Sequence, residues 1–230
     1  MSHYVGETGY WKTNEPRPDG WEDRSHPTGI DGISFDEPCV AVFGSGPSIL
    51  DMTLEEMQEV KSKCFVVMMN YATARFGQDE MDMLAFHDAK VASWLAQGNL
   101  KPGVLLWASK AAFPFGQPAE VMDMVNCWFR SSKGNFALTN IIHDLRIMKP
   151  EKKVLLFGVD FKVGPGDELK WYDRYTNADK EGRGVGAYEA RCFMAQDREL
   201  KLVDAGGMVW NCTPGSALDV FPKEDWRKVA

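Results

Sequence analysis

Apolar and polar positions along the chain fall into two alternating periods. Short, nearly continuous apolar runs recur. They are Cys39-Val40-Ala41-Val42-Phe43, Cys64-Phe65-Val66-Val67-Met68-Met69, residues 81–86, Val104-Leu105-Leu106-Trp107, residues 125–129, residues 153–160 and Met208-Val209-Trp210. Runs of this length read as strands buried on both faces. Between them the apolar residues take helical spacing. Leu54, Met57 and Val60 mark one helix, residues 91–96 a short one, and Leu138, Ile141, Ile142, Leu145 and Met148 the apolar face of one over 136–148. A further helix is predicted over 188–205, stopped by Gly206-Gly207. Strands alternating with helices predict an α/β domain, Rossmann-like, with a mainly parallel sheet and helices on both faces.

The first strand runs into Gly44-Ser45-Gly46-Pro47-Ser48 and then into a helix. Glycine tolerates the dihedrals of a tight turn. Thr53, with Glu56 three residues on, has the pattern of a capping box. Strand, glycine loop and helix together can bring backbone N–H groups to an anion. The third glycine of the dinucleotide fingerprint is missing, and no Gly-Lys-Ser/Thr follows, so this is not a Walker A loop. An ordinary turn is the alternative. A second small-polar loop, Arg130-Ser131-Ser132-Lys133-Gly134-Asn135, opens the helix at 136 and offers further anion contacts.

In a doubly wound sheet, ligands sit beyond the carboxyl ends of the strands. Asn70 ends the second strand, His87-Asp88 the third, and Asp160 the strand at 153–160. Asn70 offers both a donor and an acceptor. His87 sits where a ligand would and Asp160 is well placed for a substrate or a metal, with simple exposure and capping of the next turn as their respective alternatives. His143 falls off the apolar stripe of its helix and reads as a surface residue.

The domain is expected over 38–222. Residues 1–37 lack sustained periodicity but carry aromatics, and read as an arm over the domain or as a disordered leader. Residues 161–186 form a long polar, glycine-broken stretch with Trp171, Tyr172 and Tyr175, which reads as a lid closing over ligand. The tail 223–230, with Trp226, is expected to pack back on the body.

Composition narrows the classes. The 230 residues carry a formal net charge of −7, which argues against a general nucleic-acid binder. No run is apolar over the ~18 residues a membrane span needs, and the N-terminus lacks a signal-peptide pattern. Five scattered cysteines read as reduced residues of a cytoplasmic protein, forming neither a disulfide framework nor a zinc site.

The motif order resembles two related groups. One is the bacterial sialyltransferases typified by Campylobacter lipooligosaccharide enzymes. The other is the domain shared by flagellin-modifying motility accessory proteins and archaeal 6-hydroxymethylpterin pyrophosphokinases. The resemblance spans about 39–222. It is carried by Gly44-Ser45-Gly46-Pro47-Ser48-Ile49, the strand ends at Asn70 and at His87-Asp88, the segment from Ser131 to Gly158-Val159-Asp160-Phe161, and Asn211-Cys212-Thr213-Pro214-Gly215-Ser216.

The resemblance implies nucleotide contacts from Gly44, Ser45, Gly46, Pro47, Ser48, Asn70, Asp88, Ser132, Gly134 and Asn135. Tyr172, Arg174 and Tyr175 would act from the lid. The sialyltransferases' lid histidine has no counterpart between Phe161 and Tyr188. Asp160, Asp167, Asp173 or His87 would then serve as base.

Three readings follow. The first is a metal-independent glycosyltransferase moving a sugar from a nucleotide-sugar donor, a CMP-sugar or another, to a glycan or other hydroxyl acceptor. The second is a magnesium-dependent pyrophosphokinase-like enzyme using Asp88 and Asp160. The third is a non-catalytic nucleotide-binding or scaffold protein, with homo-oligomerisation as a further expectation.

Overall fold

A computed structural model describes residues 29–30, 32–109, 112–113, 119–129, 136–162 and 185–230. Seven strands form one parallel sheet: β1 (Cys39–Phe43), β2 (Cys64–Met69), β3 (Met83–Phe86), β4 (Leu105–Ala108), β5 (Cys127–Trp128), β6 (Lys153–Phe157) and β7 (Val209–Asn211). Their order is β5-β4-β3-β2-β1-β6-β7. The chain therefore builds outward from β1 on one side, then crosses back to place β6 and β7 on the other. Strand order reverses between β1 and β6, the place where such sheets open a crevice.

The described helices are α1 (Leu54–Lys61), α2 (Thr73–Phe76), α3 (Ala89–Leu95), α4 (Ala119–Met124), α5 (Ala137–Met148), α6 (Val185–Leu200) and α7 (Trp226–Val229). Side chains alternate across the sheet. Cys39, Ala41 and Phe43 join α1, α3 and α7 in one core layer. Val40 and Val42 join Leu138, Ile141 and Leu145 of α5 in the other. Both faces are covered, which is why the strands read as unbroken apolar runs. The α/β, Rossmann-like architecture is as expected.

Several boundaries differ from the sequence reading, each for a local reason. The expected helix after the glycine loop splits into a 3-10 turn (Pro47–Asp51) and α1. Thr53 caps α1 with the expected reciprocal Glu56 bonds, though Leu54 is exposed. The third strand starts at Met83, because the Asp82 side chain accepts from Val66 N–H and pairs with Lys61. The fifth keeps only Cys127 and Trp128, because the Asn126 side chain replaces the ladder at Leu106 N–H. Gly158, at φ 61°, turns the chain out of β6 before Asp160. The helix expected over 188–205 is Val185–Leu200, and an Asp204 turn at Gly206 follows it.

Ile30, Ile33 and Phe35 lie against the α5 face. Ile30 is buried there, and Phe35 stacks on Phe65 at 4.3 Å. His143 is not a surface residue: its side chain is 18 % exposed and stands 3.5 Å from the buried Asp144. Among the described residues, no helix is long and apolar enough to cross a membrane.

Candidate active site

Among the described residues, the backbone of the glycine loop bonds on one side only. Gly44 N–H donates to Phe157 O at 2.7 Å, and Gly46 N–H to Gly158 O at 2.8 Å, extending the β1–β6 ladder past the strand ends. Asp160 then accepts from Ser48 Oγ at 2.8 Å and from Ser48 N–H at 3.2 Å. Glycine is required by this approach. A Cβ on Gly44 would lie 2.6 Å from Gly158 O; one on Gly46 would fall on Asp160 Oδ2 and 2.6 Å from Gly158 O. The crevice at the strand reversal is thus filled by the protein's own backbone and one carboxylate.

Asp160 is 5 % exposed. Burial raises its pKa above the usual carboxylate range, opposed by the Ser48 bonds and by Lys162. Its neighbourhood is braced from β7. Thr213 Oγ1 accepts from Val159 N–H, Ser216 Oγ donates to Val159 O, and Ala217 N–H donates to Asp160 O. Here Asp160 is a clamp that fixes the loop. The bracing by Thr213 and Ser216, and the turn at Gly158, were not singled out as functional in the sequence. The Asn-Cys-Thr-Pro-Gly-Ser run was the available signal.

On the other side the loop's backbone makes no bond among the described residues. Successive N–H groups of an extended chain point opposite ways, so Ser45 N–H faces β2. Its hydroxyl reaches toward Met69 O at 3.5 Å. The next residue, Asn70, takes φ 50°, a left-handed conformation that asparagine tolerates better than most residues. Asn70 Oδ1 accepts from His87 N–H at 3.4 Å, which ties the ends of β2 and β3 together and leaves Nδ2 as a donor. His87 Nδ1 is buried without a partner. Burial pushes the His87 pKa down, against the pull of Asp88 and Glu199, so its imidazole is neutral near pH 7 and competent to accept a proton.

Ser45 therefore reaches the end of β2, Asn70 is tied to the His87 backbone, and Asp160 and Ser48 stand apart as a structural pair. Asp88 Oδ1 caps α3 by accepting from Lys90 N–H at 2.9 Å. Ser132, Gly134, Asn135, Asp167, Tyr172, Asp173, Arg174 and Tyr175 lie outside the described residues. Among the described residues, no three potential metal ligands cluster.

A cavity of about 630 Å³ opens on the far side of the clamp, between Ser48, Phe157, Thr213 and Trp226. Asp51, Glu56, Glu224 and Asp225 rim it. Its two cations, Lys223 and Arg227, are paired with Asp219 and with Glu56 and Glu59. That rim repels a phosphate.

The fold is that of a Rossmann-like α/β protein. No family model matches the chain, and no curated protein does. Over 86 % of its length the chain is similar to the structure of MAf glycosyltransferase from Magnetospirillum magneticum AMB-1, at 14 % identity and a TM-score of 0.47. The chain spans 35 % of that one.

Proposed function

We propose that the chain is a glycosyltransferase that uses a nucleotide-activated sugar. The observation that carries this reading is the one-sided bonding of the glycine loop. It leaves Ser45 N–H and Oγ toward the end of β2, where Asn70 follows and its Oδ1 accepts from the backbone N–H of His87 at the end of β3. Ser45 would hold a nucleotide phosphate and Asn70 a ribose or base, while His87 would take the proton of the acceptor hydroxyl. Asp160 would act by positioning the loop. Donors at Ser132, Gly134 and Asn135, and lid groups Tyr172, Arg174 and Tyr175, would complete the charge stabilisation at the leaving phosphate. A CMP-sugar donor, as in the sialyltransferase-like groups, is the finer form of the proposal. The magnesium-dependent alternative gains no support, because Asp88 and Asp160 already accept structural hydrogen bonds at separate places.

The test is a thermal-shift panel of CMP, CDP, UDP, GDP and ATP, each with and without magnesium. A ligand bound only by the folded state at 100 times its Kd adds about 2.7 kcal/mol. At least one nucleotide is expected to raise the melting temperature without metal. Asn70→Gly should abolish that shift, since glycine keeps the left-handed backbone while deleting the amide. Magnesium-dependent binding of ATP alone would overturn the reading, as would no shift with any nucleotide.

A further inference from the structure

The cavity of about 630 Å³ beyond the clamp has the size of a small-molecule site. It opens where β6 and β7 end, the edge of the sheet at which α/β proteins take up ligands. Its floor is apolar, made by the buried Ile49, Phe157, Cys212 and Trp226. Its rim is acidic and drawn from separate elements. Asp51 ends the 3-10 turn after β1, Glu56 stands in the first turn of α1, and Glu224 and Asp225 precede α7.

Most of the rim charge is engaged. Glu56 faces Arg227 at 3.6 Å, Glu224 pairs with Lys228 at 2.9 Å, Asp225 caps α7, and Lys223 is held by Asp219. Asp51 has neither a hydrogen bond nor an ion pair among the described residues. Two nearby groups feel the surplus of negative charge. Asp225 and Glu224 add to the burial that pushes the Cys212 thiol up, and Asp51 adds to the burial that raises Asp160.

The chemistry of the occupant follows. A phosphate or carboxylate is repelled. A metal ion lacks its ligands, since no three potential ones cluster among the described residues. A sugar finds no open aromatic face. Trp226 is 5 % exposed, and Lys63 Nζ and the Arg227 guanidinium lie over its ring at 5.2 and 4.8 Å. An organic cation matches both floor and rim.

We propose that this cavity is a second binding site, which takes a primary ammonium carried on an apolar body, with the body on Ile49, Phe157 and Trp226 and the charge at Asp51. The site goes beyond the transferase reading and does not depend on it, because it shares no residue with the set of Ser45, Asn70 and His87.

Phenethylamine is the cationic probe, 2-phenylethanol its neutral counterpart, phenylacetate the anion, and magnesium chloride a charge without an apolar body. The readout is the indole N–H resonance of Trp226 in 15N-labelled protein. It is assigned among the eight tryptophans by its loss in Trp226→Phe, or by cross-relaxation with the Phe157 ring if that variant does not fold. Phenethylamine is expected to move this resonance saturably and to bind roughly tenfold more tightly than 2-phenylethanol. Asp51→Asn, at an exposed position without bonds, should weaken phenethylamine roughly threefold or more and leave 2-phenylethanol unchanged. Equal affinity for amine and alcohol overturns the site. So does a response to phenylacetate or magnesium alone, no response to any probe, or an Asp51→Asn variant that binds phenethylamine as wild type does. Nucleotide shifts in the melting panel should be the same in Asp51→Asn and wild type, and their loss in that variant would overturn the separateness of the two sites. Failure of the nucleotide panel with an intact amine response would remove the transferase reading and leave this site standing.

Discussion

Gly46 and Asp160 are one device, and their substitutions should not add. Gly46→Ala drives a methyl onto the Asp160 carboxylate and against Gly158 O, costing about 1–3 kcal/mol as overpacking. Asp160→Ala strands Ser48 N–H and its hydroxyl, at about 1–3 kcal/mol for the lost pairing. The double variant frees the space that the carboxylate occupies, while the clash with Gly158 O persists. Urea denaturation of all four proteins is expected to give a coupling above about 0.5 kcal/mol that favours the pair. Strict additivity would mean that the loop and the carboxylate are independent.

The same carboxylate gives a pH signature. Burial raises the folded-state pKa of Asp160 above its usual 3.8. Between those two values the folded chain binds more protons than the unfolded one, so stability falls as pH rises. Asp160→Asn does not titrate. The stability of wild type minus that of Asp160→Asn should therefore decline as pH climbs from about 3.8 through the folded pKa, then level off. Denaturation midpoints across pH 3 to 7 measure it. A difference that rises over that window would show the Ser48 bonds outweighing burial.

At the scale of elements, what was legible depended on whether the signal was local. The α1 cap was readable because Thr53 and Glu56 satisfy each other within one turn. The core strands were readable because layers on both faces make their whole length apolar. Strand ends were less so. At Asp82 and Asn126 a side chain replaces a ladder bond, and the decision lies with a partner on another strand. The site behaved in the same way. Gly44, Ser45, Gly46, Asn70 and His87 were visible as turn and strand-end residues. That Asp160 turns toward Ser48, leaving His87 as the described candidate, depends on β6 lying next to β1. More than 100 residues separate them, and no local pattern records it.

For the whole molecule, the last described helix closes the core layer that the first strand begins. Trp226 is buried among residues from distant parts of the chain. Its ring meets Phe157 edge-on at 6.5 Å, with Lys63 Nζ and the Arg227 guanidinium near its faces. Arg227 bonds Glu59 of α1 at 2.9 Å, and Lys153 at the start of β6 donates to Val229 O at 2.6 Å. Trp226 and Cys212 line the same cavity, and the Cys212 thiol is pushed up to about 12 by burial, with Asp225 and Glu224 adding to the shift. At pH 8 it is protonated and shielded, so it is unreactive. Trp226→Ala removes the largest apolar group of this contact, at about 3–5 kcal/mol. That is a large share of the 5–15 kcal/mol typical of a folded domain. Cys212 should then be labelled by a thiol reagent at least tenfold faster than in wild type, followed by peptide mass spectrometry under conditions where both proteins remain folded. Cys127, at the opposite end of the sheet and also pushed up to about 12 by burial, is the internal control. If it accelerates equally, the variant has opened globally; selective labelling of Cys212 locates the opening at α7, on the side of the clamp away from Asn70 and His87.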